Sequence, residues 1–261
     1  MFPIGDDNPT LRRPVLTYAL LGTIFAVWVL VQGAGVEFHA LTGSVCNLGL
    51  VPGELTGRAL LGTQVPLGTD PEGRFWVCSV DAEPINRLTP LTSMFLHGGW
   101  GHILGNSLFL WIFGNNVEDS MGRWRFLVFY LVCGLVAAGA HVALDPASPV
   151  PTVGASGAIS GVMGGYLLLY PRARVRTFFP PFFFFHVPAF VVLLIWFAMQ
   201  VFTGLPQLSP LRPDVSGGVA VWAHVGGFVA GVVLVKLFED RSLVRRRTLA
   251  GDARAAYDPN A

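Results

Sequence analysis

The sequence predicts an all-α membrane protein, a bundle of six transmembrane helices with both termini in the cytoplasm. Three observations carry that expectation. Of 261 residues, 52% are hydrophobic and only 13% are charged, against about 25% charged in an ordinary soluble domain. Apolar runs lie near residues 15–36, 98–113, 126–143, 156–170, 187–202 and 219–238. The basic residues are also unevenly distributed. With the N-terminus inside, Arg12, Arg13, Arg123, Arg125, Arg172, Arg174, Arg176, Lys236, Arg241, Arg245, Arg246, Arg247 and Arg254 are cytoplasmic, and only Arg58, Arg74, Arg87 and Arg212 lie outside. Short cytoplasmic loops collect Lys and Arg, so this orientation is preferred. The formal net charge is +1 and no basic stripe is massed on one segment, so a lipid bilayer and not nucleic acid is the expected surroundings.

Taken in order, residues 1–14 form a polar cytoplasmic arm with Asp6, Asp7, Arg12 and Arg13. The arm is too long, and too poorly followed by a cleavage pattern, for a signal peptide, so the first apolar run is expected to stay in place as a helix. Residues 15–238 form the membrane domain and 239–261 a basic cytoplasmic tail. Within the domain, residues 37–87 are a long extracytoplasmic loop holding Cys46 and Cys78. Pairing them would close a loop of about 30 residues and add roughly 3–4 kcal/mol in the chain-entropy model, and two free thiols fit the sequence equally well. Cys133 falls inside the third run and reads as a small buried hydrophobe, with no metal-ligand spacing near it.

The second run begins at His97-Gly98-Gly99-Trp100-Gly101-His102 and continues to Asn106. His102 and Asn106, four apart, share one helix face. Polar residues within a membrane face the interior and are functional candidates, the alternative being hydrogen-bonded glue between helices. Asn115 to Arg123 is expected to be a short structural turn. The prolines at 146, 149 and 151 exclude helix and deliver the chain to Gly154, so the fourth helix begins near Ser156. That helix leaves the membrane at Pro171, and the run Phe178 to Phe185, with Pro180 and Pro181, reads as interfacial or lipid-facing anchors. Residues 204–218 read as a movable loop over the outer side.

Gly157, Gly161 and Gly165 recur every fourth residue, and Ala223, Gly227 and Gly231 repeat the pattern in the sixth run. Two such small-residue stripes let two helices touch, which brings Ser156 toward His224. At about 1.5 Å rise per residue, Ser156 lies about 21 Å from its helix's cytoplasmic end, His224 about 18 Å, Asn106 about 15 Å and His102 about 21 Å. The motifs therefore share one layer. Alone, Ser156 reads as a packing residue, but a serine hydroxyl needs a base to act as a nucleophile, and a neutral imidazole can be that base. No carboxylate lies in the middle of any run, so a Ser–His dyad is expected. His102, Asn106 and the first N–H groups of the fourth helix would then be donors to an oxyanion.

At these residues the sequence resembles the rhomboid family of intramembrane serine proteases. That family is marked by His-x-x-x-Asn in the second helix, Gly-x-Ser-Gly in the fourth and Ala-His-x-x-Gly-x-x-x-Gly in the sixth. Here they stand as His102–Asn106, Gly154–Gly157 and Ala223–Gly231. The resemblance runs from about Val15 to Phe238. It implies a multi-pass protein of the cell membrane, with a water-filled cavity opening to the extracytoplasmic side. It implies no metal or cofactor, and cleavage of the transmembrane segments of other proteins. Ser156 would be nucleophile and His224 base, with His102, Asn106 and the Ser156 N–H in the oxyanion hole. Gly157, Gly161, Gly227 and Gly231 would support the helix packing, Gly204–Gly218 would be a mobile cap, and the fifth helix would border substrate access.

The sequence also departs from the family. Leu88-Thr89 stand where members often carry Trp-Arg, Glu118-Asp119-Ser120 replaces Glu-x-Arg, and Ser160 replaces an aromatic residue that in some members stacks on the catalytic histidine. A different reading, a catalytically silent rhomboid-like protein that binds membrane proteins, would fit a chain lacking the serine or the histidine. A channel or transporter would call for charged residues in the middle of the runs or an internal repeat, and the sequence has neither.

Overall fold

A computed structural model describes residues 2–70, 72–208 and 220–247. In chain order it contains β1 (Phe2–Asp6), α1 (Val15–Leu30), α2 (Phe38–Leu48), α3 (Pro52–Thr56), β2 (Gln64–Thr69) and β3 (Phe75–Ser79). These are followed by α4 (Thr89–Thr92), α5 (Trp100–Phe109), α6 (Asn115–Met121), α7 (Arg123–Leu144) and α8 (Ser156–Leu169), then β4 (Arg174–Phe179), β5 (Phe183–Pro188), α9 (Ala189–Gly204) and α10 (Val221–Phe238). The six apolar runs fall in α1, α5, α7, α8, α9 and α10. By length and composition α7 and α10 can cross a membrane, and α1, α8 and α9 are shorter apolar helices.

Helix α8 is the centre of the molecule. Its 14 residues rise about 21 Å, less than the roughly 30 Å of a hydrocarbon core, and every residue from Gly157 to Tyr166 is buried. A helix enclosed on all sides belongs to a core. The glycines make that possible. A Cβ on Gly161 would meet the Cys133 sulfur of α7 at 2.7 Å and the Gly227 carbonyl oxygen of α10 at 3.2 Å. A Cβ on Gly231 would overlap the backbone of Gly161, and one on Gly164 the carbonyl of Phe228. The two predicted stripes therefore face one another, with α7 closing the other side.

Helix α5 does not stop at a turn. It passes through a π-helical segment, Leu110–Gly114, into α6, so the stretch expected to be a turn is helical. The polar residues of α6 are inside because they complete other elements. Helix α1 has no side-chain cap of its own, and Glu118 supplies one from α6, accepting the N–H groups of Leu16 at 3.0 Å and Thr17 at 2.7 Å and the Thr17 hydroxyl at 2.8 Å. Unpaired first-turn donors are thereby satisfied. Asp119 accepts the Leu11 N–H and Arg12 Nε and pairs with Arg247 Nη1 at 3.2 Å. Two arginines from distant segments thus converge on the one carboxylate.

The all-helical expectation omits two small sheets. Strand β4 pairs antiparallel with both β1 and β5. The arm of residues 1–14 is therefore partly bound in a sheet, and Phe178 to Phe185 lie on a hairpin turning at Pro180-Pro181. In β4, Val175 and Thr177 are buried while Arg174 and Arg176 are exposed, the alternation of a strand with one covered face. The second sheet is the β2–β3 hairpin, where buried Asp70 accepts bonds from Arg74 and Trp76. A disulfide between Cys46 and Cys78 ties α2 to β3. The basic tail is helical over residues 241–247, and of the predicted movable loop, residues 209–218 lie outside the described residues.

Candidate active site

Gly154 precedes α8 with φ at 134°, a backbone conformation open to glycine and strained for other residues. Its N–H donates to the Ser93 carbonyl at 2.9 Å, and the chain turns so that Ser156 is the first residue of the helix. The Ser160 hydroxyl donates back to the Ser156 carbonyl at 2.6 Å, which leaves Ser156 Oγ to other partners. Its partner is His224 of α10. Nε2 of that ring lies 2.7 Å from Ser156 Oγ, and the imidazole is only 7% exposed. The close approach of α8 and α10 is what allows two short side chains to span the gap.

The other imidazole nitrogen is also bonded. His224 Nδ1 is 2.9 Å from Gln200 Oε1 on α9, and the Trp196 ring, one turn earlier on α9, lies tilted beside the imidazole at 5.8 Å. The sequence offers no carboxylate for this position, and Gln200 is a single polar residue in an apolar run without a spacing to mark it.

His102 comes to the same place, and Asn106 stands one turn further along α5 on the same face. The Gly98 N–H donates to His102 Nδ1 at 3.3 Å, which leaves Nε2 as the N–H donor of that ring. A Cβ on Gly154 would be 2.7 Å from this Nε2 and 3.5 Å from Ser156 Oγ. The glycine therefore keeps open a point within contact of both groups, where a reacting atom could sit. Asn106 is 8% exposed, and its Nδ2 has no partner among the described residues, a donor left unused at a cost of about 1–3 kcal/mol.

His97 has no spacing in the sequence that marks a role for it. It is buried, with its ring against His102 at 5.1 Å, and Gln32 holds its backbone by accepting the N–H at 2.8 Å and donating to the carbonyl at 2.9 Å. This clamp fixes the loop from which α5 starts. No group of three or more His, Cys, Asp or Glu side chains able to hold a metal ion occurs among the described residues.

A hydroxyl facing an imidazole nitrogen, with a second imidazole N–H and the first N–H groups of a helix nearby and an unused amide donor on the same helix face as that second imidazole, suits attack on a carbonyl with stabilisation of the resulting oxyanion. The family profile of the rhomboid domain matches residues 86–240, a range holding Ser156, His224, His102, Asn106 and Gln200. The rhomboid protease GluP of Bacillus subtilis is 42% identical over 89 residues, 34% of this chain and 17% of that protein. The chloroplastic rhomboid-like protein 11 of Arabidopsis thaliana is 30% identical over 153 residues, 56% of this chain and 51% of that one. The mitochondrial presenilin-associated rhomboid-like protein of Bos taurus is 27% identical over 150 residues, 54% and 36% of the two chains. The matched stretch thus spans about half or less of each relative.

Proposed function

The chain belongs to the rhomboid family of membrane-embedded proteins, and on that premise we propose that it is an intramembrane serine endopeptidase that cuts transmembrane segments of other proteins. The observation that carries this reading is the 2.7 Å contact between His224 Nε2 and Ser156 Oγ. His224 takes the hydroxyl proton as Ser156 Oγ attacks the scissile carbonyl carbon. The negative charge that develops on the carbonyl oxygen is met by Asn106 Nδ2, His102 Nε2–H and the Ser156 N–H. His224 then gives its proton to the departing amine, and a water activated by the same imidazole releases the acyl group from Ser156. The reaction needs no metal or cofactor.

In this reading the six apolar runs cross the cell membrane, both termini are cytoplasmic, and the site opens to the extracytoplasmic side. The arginine distribution supports that orientation. A silent membrane-protein binder is the alternative, and the retention of a bonded Ser156–His224 pair speaks against it. The test is cleavage of a model transmembrane substrate in liposomes. The unmodified protein should cut it and Ser156→Ala should not, and equal cleavage by both would overturn the proposal.

A further inference from the structure

We infer that Gln200 is a third, positioning member of the site, which fixes the tautomer and orientation of His224. The inference rests on the Ser156–His224 reading above and extends it. An imidazole can take a proton from serine at Nε2 only if that nitrogen carries a lone pair, so the ring proton must sit on Nδ1. The amide oxygen of Gln200 is an acceptor at 2.9 Å from Nδ1. With the amide turned so that its oxygen faces the ring, the proton is held on Nδ1 and Nε2 is left bare toward Ser156 Oγ at 2.7 Å. The same bond also favours the imidazolium formed during attack, because its Nδ1–H is already directed at a partial negative charge.

The placement is firm because α9 is anchored against α10. Phe197 stacks on Phe228 at 4.7 Å, and Trp196 lies beside both Phe228 and His224. Trp196 and Gln200 are four residues apart and so share one helix face. A single turn of α9 thus supplies an aromatic neighbour and a hydrogen-bond acceptor to the imidazole. Position 160 of α8 holds a serine, whose hydroxyl is turned to the Ser156 carbonyl instead. His102 and His141 are the other titratable side chains that act electrostatically on His224, and no carboxylate is among them.

The test compares Gln200→Leu, Gln200→Met and Gln200→Glu with the unmodified protein and Ser156→Ala, in liposomes. It reads kcat, KM, fluorophosphonate labelling and the pH profile on the folded fraction. Removing the acceptor should lower kcat and labelling roughly 10–100-fold with little change in KM. This is less than the ~10⁴ that follows when a triad carboxylate is neutralised, since an amide is a weaker acceptor. Gln200→Glu keeps an acceptor and adds a charge, so it should retain activity while the acid limb of its rate profile moves up by about 1 pH unit or more. Ordinary labelling and an unchanged pH profile in folded Gln200→Leu or Gln200→Met would overturn the inference alone, as would an inactive but folded Gln200→Glu. Labelling that is equal in the unmodified protein and Ser156→Ala would remove the dyad, and with it this inference.

Discussion

The carbonyl oxygen of Gly157 occupies the space in which a Cβ on Gly227 would lie. Backbone meets backbone at this contact, two residues on from Ala155 and three from His224, so neither partner can yield as a flexible side chain would. Even Gly227→Ala must move α10 away from α8. Overpacking of this kind costs about 1–3 kcal/mol, while a displacement of about 1 Å between nucleophile and base costs on the order of 10²-fold in rate. Gly227→Ala should therefore stay folded, as judged by circular dichroism in detergent, and lose most of its proteolysis. Gly22→Ala on α1, where a Cβ meets nothing within 4 Å, should remain active and gain about 0.5–1 kcal/mol. Full activity of folded Gly227→Ala would separate the glycine contact from the chemistry.

Asn106 has a buried amide nitrogen with no partner among the described residues. A residue serving as helix glue would have that group bonded. Asn106→Ala should thus leave thermal stability nearly unchanged and lower kcat by about 10²–10³, the usual cost of one oxyanion donor. A variant that melts much earlier yet turns over normally would assign Asn106 to packing.

Asp6 links β1 to the bundle, accepting the Tyr166 hydroxyl at 2.6 Å and Asn116 Nδ2 at 2.8 Å. Burial pushes its carboxyl up from 3.8 to about 6, although the Tyr166 hydrogen bond and the Arg247 charge pull the other way. The folded protein therefore binds more protons than the unfolded chain between pH 3.8 and about 6, and its stability falls as pH rises through that window. The shift corresponds to on the order of 2–3 kcal/mol. Melting curves of the unmodified protein and Asp6→Asn should diverge across this window and run parallel above it. A constant difference at every pH would contradict the assignment.

The parts of the site readable in the sequence are those that glycine spacing and helical periodicity encode. Gly157, Gly161, Gly227 and Gly231 announce a close helix contact, and that contact alone brings Ser156 and His224 together. Gln200 could not be read this way. Its neighbours in the chain are apolar, and only the packing of α9 on α10 turns it toward His224. The strand β4 does carry a signal, the charged residues Arg174 and Arg176 alternating with Val175 and Thr177, which are buried, but the apolar phenylalanines that follow mask it. In α6 the local polarity suggested a turn, whereas Glu118 and Asp119 are inside because the start of α1 and two arginines need partners there.

The central claim is that His224 activates Ser156 as a nucleophile. Intact-mass analysis after exposure to a fluorophosphonate tests it most directly, with peptide mapping of the adduct, on the unmodified protein, Ser156→Ala and His224→Ala. The account predicts one adduct, on Ser156, in the unmodified protein and essentially none in either variant. An adduct of the same extent in folded Ser156→Ala, or on Ser156 at an undiminished rate in His224→Ala, would contradict it.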